Sequence, residues 1–339
     1  MLVRRLEALA GGRWGAADLE KRVDIKLQSW RLRLARRAIR KPDDFFLLAN
    51  DWTHMVQAQN NGTPLLLFTG DMIVSRQTFA GRSFDRPSME EKIDAARRLS
   101  GTEPVKGRVV LEVGANIGTT TVEAVKVFGA EHVLAFEAEP ENARMACCNL
   151  ELNGLSESAS VRCAAVSNES GDVGLALSGY NRGDHRVLAT GDETMGSKKH
   201  VATVTVPSVT LDELAARGEI DPNALGLIWS DTQGHEGQVL AGGHSLLAAG
   251  VPLIVEYWPD ALERAGGLEL FEEAVSEHYS HFADPFTSGG LPEWTPRPIG
   301  EIGDHRDRYR RESRETGTGA PVHPGGEGST DLLFWRQAQ

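Results

Sequence analysis

Val109-Val110-Leu111-Glu112-Val113-Gly114-Ala115-Asn116-Ile117-Gly118 is the stretch that decides the fold of this chain. Its first five residues make an apolar run, as in a strand buried on both faces. A glycine turn follows, and Thr120–Phe128 then reads as helix. Strand, glycine turn and helix bring backbone N–H groups and a helix N-terminus up to a nucleotide-like ligand. The alternation continues downstream. His132–Phe136 reads as strand, Glu141–Asn153 as helix, and Ser160–Val166 as strand with Asp172–Leu177 a candidate partner. Leu225–Ser230 and Pro252–Tyr257 are two more strands, separated by a helix over Glu236–Ala249. A last helix covers Glu269–His278, with late strands at Ser280–Ala283 and Leu332–Trp335. Short apolar strands alternating with helices predict an α/β, Rossmann-like fold with a mostly parallel central sheet. Gly300–Thr330, rich in Gly, Pro and charge, reads as a long loop inserted before the final strand.

The first hundred residues differ. Val23, Leu27, Trp30, Leu34 and Ala38 recur at helical spacing, with arginines on the opposite face. Pro42 is read as the end of that leader helix, with a second helix near Asp44–Ala58. Asn60-Asn61-Gly62 is turn chemistry. Leu65–Phe68 and Met72–Arg76 read as strands joined through Thr69-Gly70-Asp71. Ser88, with Glu91 three residues on, reads as the N-cap of a helix through Leu99. The expected organisation is thus a mainly helical extension over 1–100, a cap or a route to a homo-oligomer through its helices. A cofactor-binding domain over 101–339 follows.

Of 339 residues, 40% are hydrophobic and 25% charged, as in ordinary soluble proteins. No apolar run is long enough for a membrane span, and the first residues lack a secretory signal. The odd count of three cysteines, Cys147, Cys148 and Cys163, argues against a disulfide framework and for a reducing, cytoplasmic setting. Cys147 and Cys148, beside Met145, read as core filling. The net charge of −12 divides unevenly: residues 1–41 hold twelve Lys/Arg against four acids, +8, which leaves −20 for the remainder. An acidic body disfavours nucleic acid as a partner. The basic leader either docks on that body or touches an anionic surface.

The loop itself narrows the cofactor. A dinucleotide site needs G-x-G-x-x-G, whose middle glycine admits the pyrophosphate. Asn116 stands in that place, and its amide suits an amino-acid moiety better. Glu112, at the strand tip, repels a pyrophosphate but suits the ammonium and sulfonium of S-adenosylmethionine. Gly114, Ala115 and Gly118 complete the loop. Glu137 ends the next strand nineteen residues after Gly118, where a carboxylate can accept both ribose hydroxyls. Ala138 and Ala165 are small enough to line an adenine slot.

The sequence Val109–Gly118 resembles the opening motif of the FkbM methyltransferase family, which runs D-x-G-A-N-x-G. Ala135–Asn142, Asn149–Gly154, Ala164–Gly171, Val209–Asp212, Ser230–Glu236 and Leu253–Glu256 are similar to further blocks of that family, in unbroken order. The resemblance implies a Rossmann-like fold and methyl transfer from S-adenosylmethionine, often to a hydroxyl of a sugar or natural product. Two departures are Glu112, where Asp is usual, and Gln233, where an acid is frequent.

Methyl transfer is an in-line displacement, and a hydroxyl acceptor needs a base or a metal to take its proton. His235 is the first candidate base because its ordinary pKa lies near working pH, with Asp231 to orient it. His185 is the second candidate base. Asn181, Asp184 and Arg186, in the polar loop around it, and Glu256 are candidates for holding the small-molecule acceptor. Magnesium on Asp231, Glu236 and Glu256 is the less favoured expectation, since acids at strand ends are common without metals. An NAD-dependent oxidoreductase and a non-catalytic scaffold on the same fold are the competing readings.

Overall fold

The chain begins its hairpin earlier than its turn signals suggest. A computed structural model describes residues 26, 27, 30, 33, 41–82, 86–188, 200–286, 293–315 and 329–337. Two compact units cover 1–54 and 55–339. The leader helix drawn through Val23, Leu34 and Ala38 lies outside the described residues. In the first unit Pro42 starts a helix, Pro42–Ala49 (α1), since proline's missing N–H is no loss in a first turn. The Asp44 carboxylate accepts the Lys41 N–H at 3.0 Å.

In the second unit Met55–Asn60 (β1) pairs with Thr63–Phe68 (β2). Asn61 (φ 49°) and Gly62 (φ 80°) are both left-handed, the geometry of a two-residue turn whose twist matches its strands. Residues 55–58 are therefore strand rather than helix, and no hairpin runs through Thr69–Asp71. The Asp71 carboxylate instead accepts the N–H groups of Ile73 (3.1 Å) and Ser75 (2.7 Å), and Met72–Arg76 enters a helix, Val74–Phe79 (α2). The following helix, Arg86–Ser100 (α3), is already helical ahead of Ser88.

Then come Val109–Val113 (β3), Thr119–Lys126 (α4), His132–Glu137 (β4), Pro140–Leu152 (α5) and Ala159–Cys163 (β5). Ala165–Val166 (β6), Gly171–Ser178 (β7), Arg186–Val187 (β8) and His200–Val209 (β9) form a separate sheet, ordered β6-β9-β7-β8. The run 160–166 is thus split between two sheets, and Gly171–Ser178 pairs with β9 and β8, not with it. Leu211–Ala216 (α6) leads to Leu225–Ser230 (β10). The single helix expected over 236–249 is two, Glu236–Ala241 (α7) and His244–Ala248 (α8). A Cβ on Gly242 would lie 2.1 Å from the Ser167 carbonyl oxygen, so the break allows a close backbone approach.

Leu253–Tyr257 (β11), Pro259–Arg264 (α9), Leu268–His278 (α10), His281–Ala283 (β12) and Arg297–Pro298 (β13) follow. Ile302–Glu315 (α11) is a helix where a loop was expected, and Thr330–Trp335 (β14) closes the sheet. Residues 316–328 of that expected loop lie outside the described residues. On α11 Ile302, His305 and Tyr309 are buried at helical spacing, while Arg306 pairs with Glu272 and Arg310 with Asp260 and Glu263.

The main sheet has the order β13-β12-β14-β11-β10-β3-β4-β5, with β11 to β5 parallel and β14 antiparallel to β11. Side chains alternate across it. Leu111, Val113, Ile228 and Val255 pack on one face with Val239, Leu246 and Phe271. Val110, Leu227 and Ile254 pack on the other with Ile93, Val122 and Met145. Cys147, Cys148 and Cys163 are free and exposed, so the pair on α5 does not fill the core; Ala143, Met145, Ala146 and Leu150 do. From β3 the chain winds outward through β4 to β5, then returns to β10 on the other side of β3. This reversal opens a crevice at the carboxyl ends of β3 and β10. Among the described residues no helix is long and apolar enough to cross a membrane.

Candidate active site

A cavity of about 830 Å³ lies at that crevice. Its wall begins with the glycine loop. Gly114 has φ 96°, and a Cβ there would lie 1.8 Å from the Asp231 carbonyl oxygen, so only glycine lets the tips of β3 and β10 meet. The N–H groups of Gly114 and Ala115 donate to Phe136 O (2.8 and 3.0 Å), and that of Gly118 donates to Ala115 O (2.8 Å). Asn116, left-handed at φ 52°, donates its N–H to Glu137 Oε2 at 2.7 Å. The loop thus commits four N–H groups to its own chain rather than presenting them to a phosphate. The Asn116 Oδ1 is buried without a partner.

Glu137 takes one further N–H, from Glu139, on Oε1 (2.8 Å). A carboxylate offers about four acceptor sites, so with these N–H groups and the Asn142 side chain as partners it keeps capacity for a ligand hydroxyl. Burial raises its pKa to about 7, against the lowering effect of the two backbone N–H groups. Ala138, Ala164, Ala165 and Val166 give this end of the cavity small apolar walls. Glu112 lies behind the wall: it is buried and accepts the hydroxyls of Thr120 and of Thr121, the latter at 2.5 Å, so it fastens the start of α4. Gly118 also lies off the cavity, packed against Ala146 at the start of α4.

The polar loop from Ser178 to Val187 covers a second side. Arg182 holds it down, donating to Glu139 (3.0 Å), Glu141 (2.7 Å) and Asn142 Oδ1 (2.9 Å) with its guanidinium over the Phe68 ring. The Arg182 N–H also reaches Asp71 Oδ1 (3.3 Å), which ties the loop to α2. Asn181 lines the cavity, but Asp184 and Arg186 do not: they pair with each other (2.7 Å), and Arg186 stacks on Trp258. His185 faces the cavity. Its Nδ1 accepts the Ser178 N–H at 3.0 Å, and its Nε2 is buried without a partner. Burial lowers its pKa to about 4, so the ring is neutral and carries its proton on Nε2, as a donor.

The acidic end is built at the tips of β10 and β11. Asp231 and Glu256 face the cavity. Glu236 sits behind them and braces the turn, with Oε1 accepting Thr232 N–H (2.7 Å) and Thr232 Oγ1 (2.9 Å) and Oε2 accepting Gly234 N–H (3.0 Å). Desolvation within the cavity, with repulsion from Asp331, raises Asp231 to about 6, although its side chain stays open to the cavity; burial, with repulsion from Asp231, raises Glu236 to about 7 and Glu256 well above the ordinary carboxylate range. His235 also lines the cavity. Its Nε2 lies 3.0 Å from the Ser167 hydroxyl, which itself donates to Asn168 Oδ1 (3.3 Å). With the Ser167 proton spent on Asn168, the His235 proton is assigned to Nε2, which makes Nδ1 the ring's acceptor; burial lowers this pKa to about 4.

Four cavity residues at this end, Glu91, Lys92, Trp294 and Asp331, were not anticipated. Lys92 is paired with Asp331 and stacked over Trp229, and the Trp294 indole donates to Glu91 at 2.7 Å. They come from α3, β14 and the segment before β13, which approach the crevice only through tertiary packing.

A family model described as the methyltransferase FkbM domain matches residues 112–280. No curated protein matches the chain in sequence. Among solved structures, methyltransferase FkbM from Methylobacillus flagellatus KT is 14% identical with TM-score 0.39, over 68% of this chain and 44% of that one. The chain therefore spans under half the length of that protein. An O-methyltransferase from Bacillus cereus in complex with SAH is 13% identical, TM-score 0.38, over 74% and 81%. TYW2 from M. jannaschii in complex with AdoMet is 10% identical, TM-score 0.39, over 84% and 87%.

Proposed function

Residues 112–280 belong to the FkbM methyltransferase domain family, and on that premise we propose that the protein is an S-adenosylmethionine-dependent O-methyltransferase acting on a hydroxyl of a small molecule, a sugar or a natural product. The observation that carries the cofactor reading is Glu137, held by two backbone N–H groups with acceptor capacity to spare. It would accept the ribose hydroxyls, with Ala138 and Ala165 beside the adenine and Asn116 Oδ1 toward the amino-acid end. The loop's own use of its N–H groups supports this cofactor over a dinucleotide, whose pyrophosphate would need them.

The bound cofactor supplies an electrophilic methyl group. What this chain adds is orientation and proton handling. His185 Nε2–H is a fixed donor that would hold an acceptor oxygen, since its other nitrogen is committed to Ser178. His235 Nδ1 is the open acceptor and would receive the hydroxyl proton. Asp231 and Glu256 would hold neighbouring hydroxyls of the acceptor.

Calorimetry of the purified chain with S-adenosylmethionine, S-adenosylhomocysteine and NAD tests the cofactor. The first two are expected to bind and NAD is not. Tight NAD binding with no heat from either sulfur compound would overturn the reading.

A further inference from the structure

We infer that Asp231, Glu236 and Glu256 form a site for an oxygen-ligated divalent cation of the magnesium class at the acidic end of the cavity. The strands place the site. β10 and β11 are parallel neighbours with Ser230 opposite Val255, so the next residues, Asp231 just past β10 and Glu256 within β11, stand side by side. One carboxylate oxygen from each of Asp231, Glu236 and Glu256 lies within 4.8 Å of the other two.

A second observation points to a ligand. Glu256 is 6% exposed and lines the cavity, yet its Oε2 is sealed from solvent without a hydrogen-bond partner. Among the described residues no group donates to that oxygen. The other two carboxylates also have capacity left. Asp231 Oδ1 receives the Gln233 amide at 2.6 Å, and Glu236 Oε2 receives the Gly234 N–H at 3.0 Å. A buried acceptor left open in this way is a cost that a cation removes.

Charge balance gives the same answer. Among the described residues, Asp331 adds a fourth carboxylate beside Asp231 and Glu256, and the ammonium that faces them, Lys92, is already paired with Asp331. An all-oxygen set without imidazole or thiolate selects magnesium or calcium over zinc or copper. Asp231 is open to the cavity, which leaves room for water and an acceptor hydroxyl as further ligands. A cation there would lower the pKa of such a hydroxyl; that consequence, unlike binding itself, rests on the function proposed above.

A proton shared between Asp231 and Glu256 is the competing arrangement, and cation titration separates the two. The full chain, stripped with chelator, is titrated calorimetrically with magnesium chloride and with calcium chloride. These ions leave the second cluster, His244, Glu277 and His278, aside because they avoid imidazole. Saturable binding in the range of about 10⁻⁴–10⁻³ M is expected. Glu256→Gln and Asp231→Asn should each weaken it at least about tenfold. Melting curves and S-adenosylmethionine calorimetry on both variants report whether fold and cofactor pocket survive. No uptake of either ion by the wild-type chain up to about 10 mM overturns the inference. So does wild-type affinity in Glu256→Gln. A chain that binds the cation but neither sulfur compound would sink the methyl-transfer reading and leave this site standing.

Discussion

Glu137→Gln isolates what one buried carboxylate does. The native side chain accepts Asn116 N–H on one oxygen and Glu139 N–H on the other. Glutamine offers a single oxygen, so one of those buried N–H groups loses its acceptor, which costs about 1–3 kcal/mol. Against that stands the ionisation of a buried acid, whose pKa is raised from 4.5 to about 7. A group raised in the folded state binds its proton there more tightly than in the unfolded chain. The wild type therefore loses stability as pH rises between those two values, and the loss is complete above the folded pKa. Between pH 5 and pH 8 the wild type should lose roughly 2–3 kcal/mol through Glu137, at 1.36 kcal/mol per pKa unit. Glutamine does not titrate, so urea melts should find the variant less stable than wild type at pH 5. By pH 8 its relative stability should rise by that amount, to near parity or above. Cofactor affinity should fall by about 10- to 100-fold at pH 8, the loss of one hydrogen bond to a charged acceptor. A stability difference that stays constant within about 1 kcal/mol across this range refutes the burial argument. Unchanged S-adenosylmethionine affinity refutes the ribose-holding role.

Two further perturbations test neighbouring steps. Gly114→Ala would force a Cβ to within 1.8 Å of the Asp231 carbonyl oxygen at φ 96°, so the tips of β3 and β10 must separate; a loss of more than about 3 kcal/mol in chemical denaturation is expected, and one below about 1 kcal/mol contradicts the close approach. With an acceptor in hand, His235→Ala should lower kcat by about 10²–10⁴ while S-adenosylmethionine still binds, whereas His185→Gln should act mainly on the acceptor's KM. Because burial lowers both rings to about 4, the base is already neutral at pH 6, and the acidic limb of kcat/KM should fall only below about pH 5. A single inflection near 6.5, lost in His235→Ala, would contradict the buried placement.

The parallel core was legible because its signal is local. Val109–Val113, His132–Phe136 and Leu225–Ser230 are short apolar runs between helices, and no other architecture buries such runs on both faces. Errors came where a local signal had two readings. Asn61-Gly62 and Thr69-Gly70-Asp71 are both turn chemistry, but only the first supplies two left-handed residues, and Asp71 serves as a cap instead. The helix Ile302–Glu315 was hidden by its composition. Arg, Asp and Glu dominate it, yet Ile302, His305 and Tyr309 keep the helical period, and Arg306 and Arg310 pair with acids more than thirty residues away. Period would have found that helix where composition missed it.

The site divides along the same line. Gly114, Asn116 and Glu137 could be read in sequence because each sits at a strand tip, where the glycine turn fixes the backbone. What could not be read is which atom of each polar group is already spent. Asp184 and Arg186 look like acceptor ligands until they are found paired with each other, and Glu112 looks like a cofactor ligand until two threonine hydroxyls occupy it. The two histidines show it most sharply. Both are neutral and on the cavity wall, and sequence ranks them only by position. Ser178 donates to one ring and Ser167 accepts from the other, so one faces the cavity as a donor and the other as an acceptor. On the proposed function, a backbone N–H and a hydroxyl would thus divide two identical side chains between holding an oxygen and taking its proton.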